Sequence, residues 1–426
     1  MRIAVIGGGI AGLSAAWLLS KKHEVTLLEK NKELGGHAHT AIVNFNKTKI
    51  PVDTAFIVFN EKHYPNLTAF FKTLGIVTDP VKMVLSVSLD NGAFEWSTRK
   101  YSGIFADSKN IISPAFWHLI KEINRFNSVA RKSLANNSVG DDTLNAFLER
   151  YSFSAAFRTR YLFPVASAIW SVSSDGIGNS PAYTTLSFLD NHDVLRANAT
   201  ERANWRTVHH GSRQYVDVVA KELHKHGSDI RLNTCVTRVS RADGRVTVQT
   251  DDGSAPFDYV VMATHADTTL SLLEEPTKAE KDLLSPFRYE CNEVYLHGDE
   301  SFMPRRRKAW GTWAYLGESI STDGSKKAQL TYYMNALQHI DPKYPLFVTL
   351  NPVRLPVADK IYEHYAYHHP IYSPQAIAAQ TKLGTLQNKQ HSLFCGSYFG
   401  HGFHEDGIRS AVDAVRHLGI EPPWKA

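Results

Sequence analysis

The chain has 426 residues, 43% hydrophobic and 21% charged, with a formal net charge of +5. That is ordinary globular composition with room for two or three domain-sized cores, and it excludes a disordered chain. The charge is too thin for its length to indicate nucleic acid, and no apolar run approaches the roughly 20 residues of a membrane-spanning helix.

Residues Arg2 to Ile6 (RIAVI) predict a short buried strand, so close to the first residue that a secretory leader has no room ahead of it. Gly7-Gly8-Gly9-Ile10-Ala11-Gly12 follows, then a helix over Leu13 to Ser20 and a second strand, Glu24 to Leu28, ending at Glu29. In this strand-turn-helix setting Gly7 permits the turn, Gly9 lets a pyrophosphate approach the backbone and Gly12 lets helix and strand pack. The helix N-terminus adds unpaired N–H groups, and Glu29 stands where a carboxylate accepts hydrogen bonds from a ribose. After Lys30 a second glycine pair, Gly35-Gly36-His37, asks for another close passage along the cofactor, which favours FAD over a nicotinamide dinucleotide. Pro51 to Phe56 then predicts a strand with one acid, Asp53, beside Thr54; Asp53 reads equally as a turn cap or as a neighbour of the flavin.

Tyr64 to His192 reads as mostly helical, with no second dinucleotide fingerprint; Gly176-Ile177-Gly178 runs into Pro181 and cannot open a helix. Asp229 to Val239 and Arg245 to Gln249 read as alternating strands, and Phe257 to Ala263 as a strand covered on both faces. The loop after it, Thr264-His265-Ala266-Asp267, is expected at the carboxyl edge of the N-terminal sheet, where α/β sheets bind ligands. Phe287 to Val353 is rich in aromatic and β-branched residues. Within it the run Arg305-Arg306-Arg307-Lys308 reads either as a solvated loop or, with Trp310 and Trp313, as a membrane-surface contact.

Ser392 to Cys395 predicts a last strand, followed by a loop from Gly396 to Gly407 and a helix over Ile408 to Leu418. Backbone N–H groups there suit the negative charge of a reduced flavin, and Asp406 is placed to bond its ribityl chain. His401 and His404 admit a metal reading as well as packing around the ring, and Cys395 reads as a core residue. The expected fold is therefore α/β, a three-layer Rossmann-type FAD-binding domain (1–63, 205–286 and 385–426) with an inserted mixed α+β substrate domain (64–204 and 287–384). Cys235, Cys291 and Cys395 form no C-x-x-C pair, which fits neither a disulfide framework nor a zinc site and points to a reducing cytoplasm, with the inner membrane surface as a peripheral location.

These residues resemble the amine-oxidase-like FAD superfamily. The stretches LEKNKELGGHAHT, DTAFIVFN, VSLDNGAFEWS, IWSVSSDG, VTLNP and GSYFGHGFHEDGIRSA look more closely like the flavin domain fused ahead of plant cyclopropane fatty acid synthases and its stand-alone bacterial relatives, some implicated in furan fatty acid synthesis. The resemblance implies an FAD enzyme acting on a modified long-chain fatty acyl group, free or in phospholipid, with a cyclopropane-synthase-like methyltransferase as a separate partner chain. It carries to the cofactor Gly7, Gly9, Gly12, Glu29, Gly35, Gly36 and His37 (usually arginine in amine oxidases), with Val236 at the adenine and Gly396, His404, Glu405, Asp406 and Gly407 around the flavin. The C-terminal loop reads Ser397-Tyr398 where monoamine oxidases link flavin to cysteine, so the flavin is expected to be non-covalent.

The expected reaction is dehydrogenation, with little acid–base work for side chains. Candidates beside the ring are Phe56, Phe59, Asn60, Trp170, Asp175, Tyr398 and His401, each of which also reads as a core aromatic or turn residue. Amine oxidation and a flavin-holding accessory subunit of a lipid methyltransferase are the two alternatives.

Overall fold

The computed structural model describes residues 1–170, 178–191, 194–195, 204–318 and 328–425; the side chains of 167–170, 191 and 328 fall outside that description. The chain starts with β1 (Arg2–Ile6), α1 (Ile10–Leu19) and β2 (Glu24–Leu28), a parallel pair joined by a helix. Three remote strands, β3 (Asp229–Arg231), β4 (Tyr259–Met262) and β5 (Ser392–Phe394), complete a parallel sheet in the order β3-β2-β1-β4-β5. The α/β class is thus observed, with sequence-distant segments sharing one sheet.

Alternation along β1 shows how the sheet is covered. Ile3 and Val5 face a core that includes α1 and the last helix, α2 (His404–Arg416), while Ala4 and Ile6 join a second core with Val236, Phe257 and Leu284. All ten residues of α1 are buried, so its alanine-rich sequence packs on every side. Truncating a side chain such as Leu27, fully buried in β2, costs roughly 2–5 kcal/mol.

The predicted single strand over Asp229 to Val239 is in fact two: β3 stops at Arg231, and Val236–Ala242 starts an antiparallel meander with Arg245–Thr250 and Gly253–Phe257. Pro51 to Phe56 is corrected too, because the observed strand is Thr48–Asp53. The region expected to be mostly helical also contains the strands Thr78–Val81, Leu85–Leu89 and Phe94–Ser97.

The last two of those join a seven-stranded mixed sheet, ordered Ile361–Ile371, Arg288–His297, Phe347–Leu350, Ala328–Tyr333, Trp313–Gly317, Leu85–Leu89, Phe94–Ser97. Its one parallel pairing among the described residues, Leu85–Leu89 with Trp313–Gly317, joins segments far apart in sequence. A helical layer including Pro114–Ala135, started by Pro114 and capped by the Ser113 hydroxyl, packs against this sheet through Phe116, Leu119 and Tyr315. Among the described residues no helix is long and apolar enough to cross a membrane.

Candidate active site

The glycine turn after β1 is held by contacts no other residue could make. Gly7 has φ +104°, and a Cβ there would meet the Ala263 carbonyl oxygen at 2.8 Å. A Cβ on Gly12 would lie 1.8 Å from the Gly7 oxygen, so α1 approaches its own turn only without a side chain. A Cβ on Gly9 meets nothing within 4 Å, although Gly9 lines the cavity. Gly9 also starts α1 with no side-chain cap and no acidic residue in the first turn, which leaves the helix's first N–H groups and partial positive charge for an anion.

At the end of β2, Glu29 fixes the turn from below. Its carboxylate accepts from the Gly8 N–H at 2.7 Å and from the backbone and side chain of Asn31, and it still lines the cavity. The Gly35 N–H donates to the Gly8 oxygen at 2.8 Å, placing the second glycine pair against the first.

The cavity above these turns has a volume of about 2340 Å³. Ligand pockets for drug-sized molecules hold roughly 300–1,000 Å³, so this one has space for a dinucleotide and a second large ligand. Gly7, Gly9, Ile10, Ala11, Glu29, Lys30, Gly35, Gly36, His37, Thr54, Phe56, Val236, Thr264, His265, Gly396, Tyr398, His401 and His404 all line it. Most come from β1, β2, β4, β5 and the segments after them, with Thr54 and Phe56 following the Thr48–Asp53 strand and Val236 opening the meander, so three glycine-bearing stretches converge on one space.

Other expected residues do not. Asp53 is fully buried and accepts from the Thr40 hydroxyl, the Ser212 N–H and hydroxyl, and the Gln338 amide. It ties the Thr48–Asp53 strand to the 212 turn, and burial pushes its carboxyl up to about 7. The Asn60 oxygen accepts from the His63 N–H ahead of the helix Pro65–Thr73, and Asn60 does not line the cavity. Glu405 accepts from the N–H groups of Asn66 and Leu67 and from the Asn66 amide, clamping α2 to that same helix. Asp406 accepts from the His401 and Phe403 N–H groups and from Arg409, which shapes the loop, and it does not itself line the cavity. Gly407 packs on Ile10, where a Cβ would meet its methyl at 2.8 Å. Phe59 is buried among Tyr64 and Phe71. The Trp170 side chain and Asp175 lie outside the described residues.

The wall also holds residues the sequence did not single out: Tyr289, Tyr367, His368, His369 and Tyr372. Tyr367 to His369 belong to Ile361–Ile371, whose tyrosine- and histidine-rich run IYEHYAYHHPI was the available signal. The His37 ring lies 5.2 Å from Tyr367 and 5.3 Å from His369, and His265 stacks on Tyr289 at 4.2 Å. Burial first, then the neighbouring histidines, holds His37 well below the ordinary imidazole range and His369 at about 4; burial lowers His404 to about 3. These imidazoles are neutral at pH 7. The Asn292 amide gives one N–H to the Glu290 oxygen, and its oxygen accepts from Asn351, so the other N–H donates to His369 Nδ1 and fixes the proton on Nε2. His404 stacks on Phe56 with ring centroids 3.6 Å apart and bonds the Tyr215 hydroxyl at 3.1 Å.

Among the described residues, the buried polar atoms of the cavity lining without a hydrogen-bond partner include His37 Nε2 and the Tyr372 hydroxyl. Unpaired atoms of that kind are costly unless a ligand meets them, and the open space over Gly9 beside an uncapped helix start fits a pyrophosphate. A model of the flavin containing amine oxidoreductase family matches residues 10–351. The chain belongs to that family. The cofactor of this flavin containing amine oxidoreductase is FAD, and the residues present fit it. Over 79 residues the chain is 37% identical to the carotenoid phi-ring synthase of Chlorobaculum tepidum, a match spanning 18% of this chain and 12% of that protein's length. The fold is shared with a CLA-producing fatty acid isomerase from P. acnes (TM-score 0.68, 17% identity, 98% of both chains). It is shared also with putrescine oxidase bound to putrescine (TM-score 0.68, 12% identity, 98% of this chain and 99% of the other). A putative protoporphyrinogen oxidase from Exiguobacterium sp. 255-15 matches with TM-score 0.62 and 14% identity over 99% of each chain.

Proposed function

We propose that this FAD-dependent oxidoreductase dehydrogenates a modified long-chain fatty acyl group, free or within a phospholipid. FAD, bound non-covalently, would accept a hydride from the substrate at N5, and the adjacent carbon would lose its proton to a neutral imidazole of the wall as the double bond forms. In this reading segments 1–63, 205–286 and 385–426 hold the cofactor, and 64–204 and 287–384 enclose the acyl chain.

The observation that carries the reading is the lining of the cavity away from the glycine turns. Tyr161, Val165, Phe188, Trp310, Trp313, Tyr332 and Leu350 make that part apolar. Lys82, Arg99, Lys100, Arg206 and Arg307 add basic groups, and Glu29, at the β2 end, is the sole carboxylate among the described lining residues. A protonated amine finds no counter-ion there, whereas a long apolar chain with an anionic head finds both parts of its complement. A protein of this fold named for isomerising fatty acids supports the same choice.

The neutral histidines suit a hydride transfer that needs no strong base beside the ring. His37 and Tyr372 would meet the cofactor through their unpaired polar atoms, the stacked Phe56–His404 pair would hold the cavity wall rigid, and the aromatic wall would exclude water. Anaerobic mixing of the flavoprotein with methylated or cyclopropanated phospholipids and their free acids is expected to bleach the flavin absorbance. Bleaching by polyamines with peroxide release, and by none of these lipids, would transfer the assignment to amine oxidation.

A further inference from the structure

The run Arg305–Lys308 contributes only part of itself to the cavity, through Arg307, and the rest of its surroundings form an unusual surface. Arg306 is committed inward, with its guanidinium on the Gly92 oxygen, the buried Glu95 carboxylate and Asp107. Arg305 and Lys308 are exposed and have no carboxylate partner among the described residues.

On one side of the run lies the helix Lys100–Ile104, which packs against Arg307–Ala309. It presents Tyr101, 82% exposed, and continues through Phe105 to Trp117, whose indole N–H donates to the Ile111 oxygen. Ile111, Ile112 and Trp117 are all exposed, Ile112 by 84%, and Lys109 stands among them. Asp107, which receives Arg306, is the start of that same turn.

On the other side, Arg307 pairs with Glu300, and the neighbouring Ser301 receives Arg354. Arg354 belongs to a loop whose Val353, Leu355 and Val357 are again exposed, Leu355 by 63%. Seven exposed apolar side chains thus flank one basic run on both sides, joined to it by named hydrogen bonds. Arg99, Lys100 and Arg307 belong at once to this surface and to the cavity lining, so the cavity opens within it. The apolar residues are too separated to form an ordinary core contact, and free cations between them disfavour a purely apolar protein partner. Basic residues interleaved with exposed aliphatic and aromatic ones complement an anionic bilayer, whose headgroups meet the cations while Ile, Leu and Trp side chains enter the acyl boundary.

We propose that the surface built from Tyr101, Ile111, Ile112, Trp117, Arg305, Lys308 and Leu355 docks this protein on anionic phospholipid membranes, with the cavity mouth against the lipid. Docking does not depend on the substrate assignment, because it requires only the charge and apolar character of the bilayer surface.

The test is flotation of the FAD-loaded protein with vesicles of phosphatidylglycerol and phosphatidylcholine in equal parts, built from saturated acyl chains that are no substrate under the proposed reaction. The protein is expected to float with these vesicles at low salt, to remain in solution with phosphatidylcholine alone, and to be released at high salt. Lys109→Glu with Lys308→Glu is expected to weaken binding by about thirtyfold or more, since each substitution removes one cation's attraction to the headgroups and adds a charge they repel. Ile112→Asp and Leu355→Asp, at exposed positions outside the cavity lining, are each expected to weaken it while thermal unfolding and flavin content stay at wild-type values. The inference is overturned if the wild type ignores anionic vesicles, or if it floats and these folded variants float equally well.

Discussion

The two ends of the cavity are made of different materials. The dinucleotide end is backbone: glycine turns pressed together at Gly7, Gly9, Gly12, Gly35 and Gly36, with a helix start supplying N–H groups. The other end is side chain: tyrosines, tryptophans and histidines, several of them brought in by a mixed sheet that joins segments as distant as Leu85–Leu89 and Trp313–Gly317. A backbone site tolerates almost no added atom, while a side-chain site can change residue by residue without losing the fold. Under the proposed function, substrate choice belongs to the second end and cofactor choice to the first.

The sharpest way to probe that contrast is at two glycines a few residues apart. Gly12→Val places atoms into the Gly7 carbonyl and is expected to cost at least about 3 kcal/mol, read as loss of soluble flavoprotein or a collapse of the unfolding midpoint. Gly9→Ala meets no protein atom and should leave the flavin-free protein as stable as wild type, while raising the FAD dissociation constant about a hundredfold, or about 2.7 kcal/mol. Equal damage from both would mean that the space over Gly9 is not where the cofactor sits.

Acid probes the side-chain end. His404 is held at about 3, and His369 and His297 at about 4, chiefly by burial, whereas the unfolded chain takes up protons below about 6.5. With folded values depressed, the unfolded state binds more protons in that window, so stability falls as pH drops from about 6.5 toward 4, by roughly 2–3 kcal/mol for each fully engaged histidine. Asp53, raised to about 7, acts in the opposite direction: its contribution is present below about 4 and is lost as pH rises through 7. Urea unfolding across pH 4–8 is expected to show the histidine slope dominating, and His404→Phe to flatten it. A slope unchanged by that substitution would mean that His404 does not titrate on unfolding as its burial requires.

The smallest expected effect separates a clamp from a ligand. Glu405→Gln leaves side-chain volume intact but weakens the bonds to Asn66 and Leu67, at a cost of about 1–2 kcal/mol in stability, with FAD affinity changed by less than about threefold. A large loss of affinity with normal stability would return Glu405 to the cofactor.

Sequence reading located the backbone end well because its requirements are local: a strand, three glycines at fixed spacing, a helix and an acid at the next strand end. For Asp53 the turn-cap reading, one of the two the sequence allowed, is the one its bonds to Ser212 match; Glu405 and Asp406 show bonds to backbone N–H groups that sequence could not distinguish from bonds to a ribose or ribityl chain. For Asn60 the observed bond matches the turn alternative, its oxygen accepting from the N–H three residues on. Tyr289, Tyr372 and the Tyr367–His369 run escaped notice because alternation predicts a strand but not which cavity the strand borders. Thr78–Val81 and Leu85–Leu89 were read within a mostly helical stretch because they pair with segments far along the chain, beyond any local period, and the local hairpin of Leu85–Leu89 with Phe94–Ser97 was missed with them.

The clamp from Glu405 to Asn66 joins residues 339 positions apart, and β1 gains its neighbour β4 only after more than half of the chain has been made. On the ribosome the glycine turn therefore emerges long before the segments that close over it, with β1 and β2 exposing unpaired edges and apolar faces in the meantime. Nascent chains should thus depend on chaperones and acquire colour only once the Gly396–Gly407 loop has emerged, so that shortage of the vitamin precursor would show first as aggregation of newly made protein rather than as loss of the mature pool.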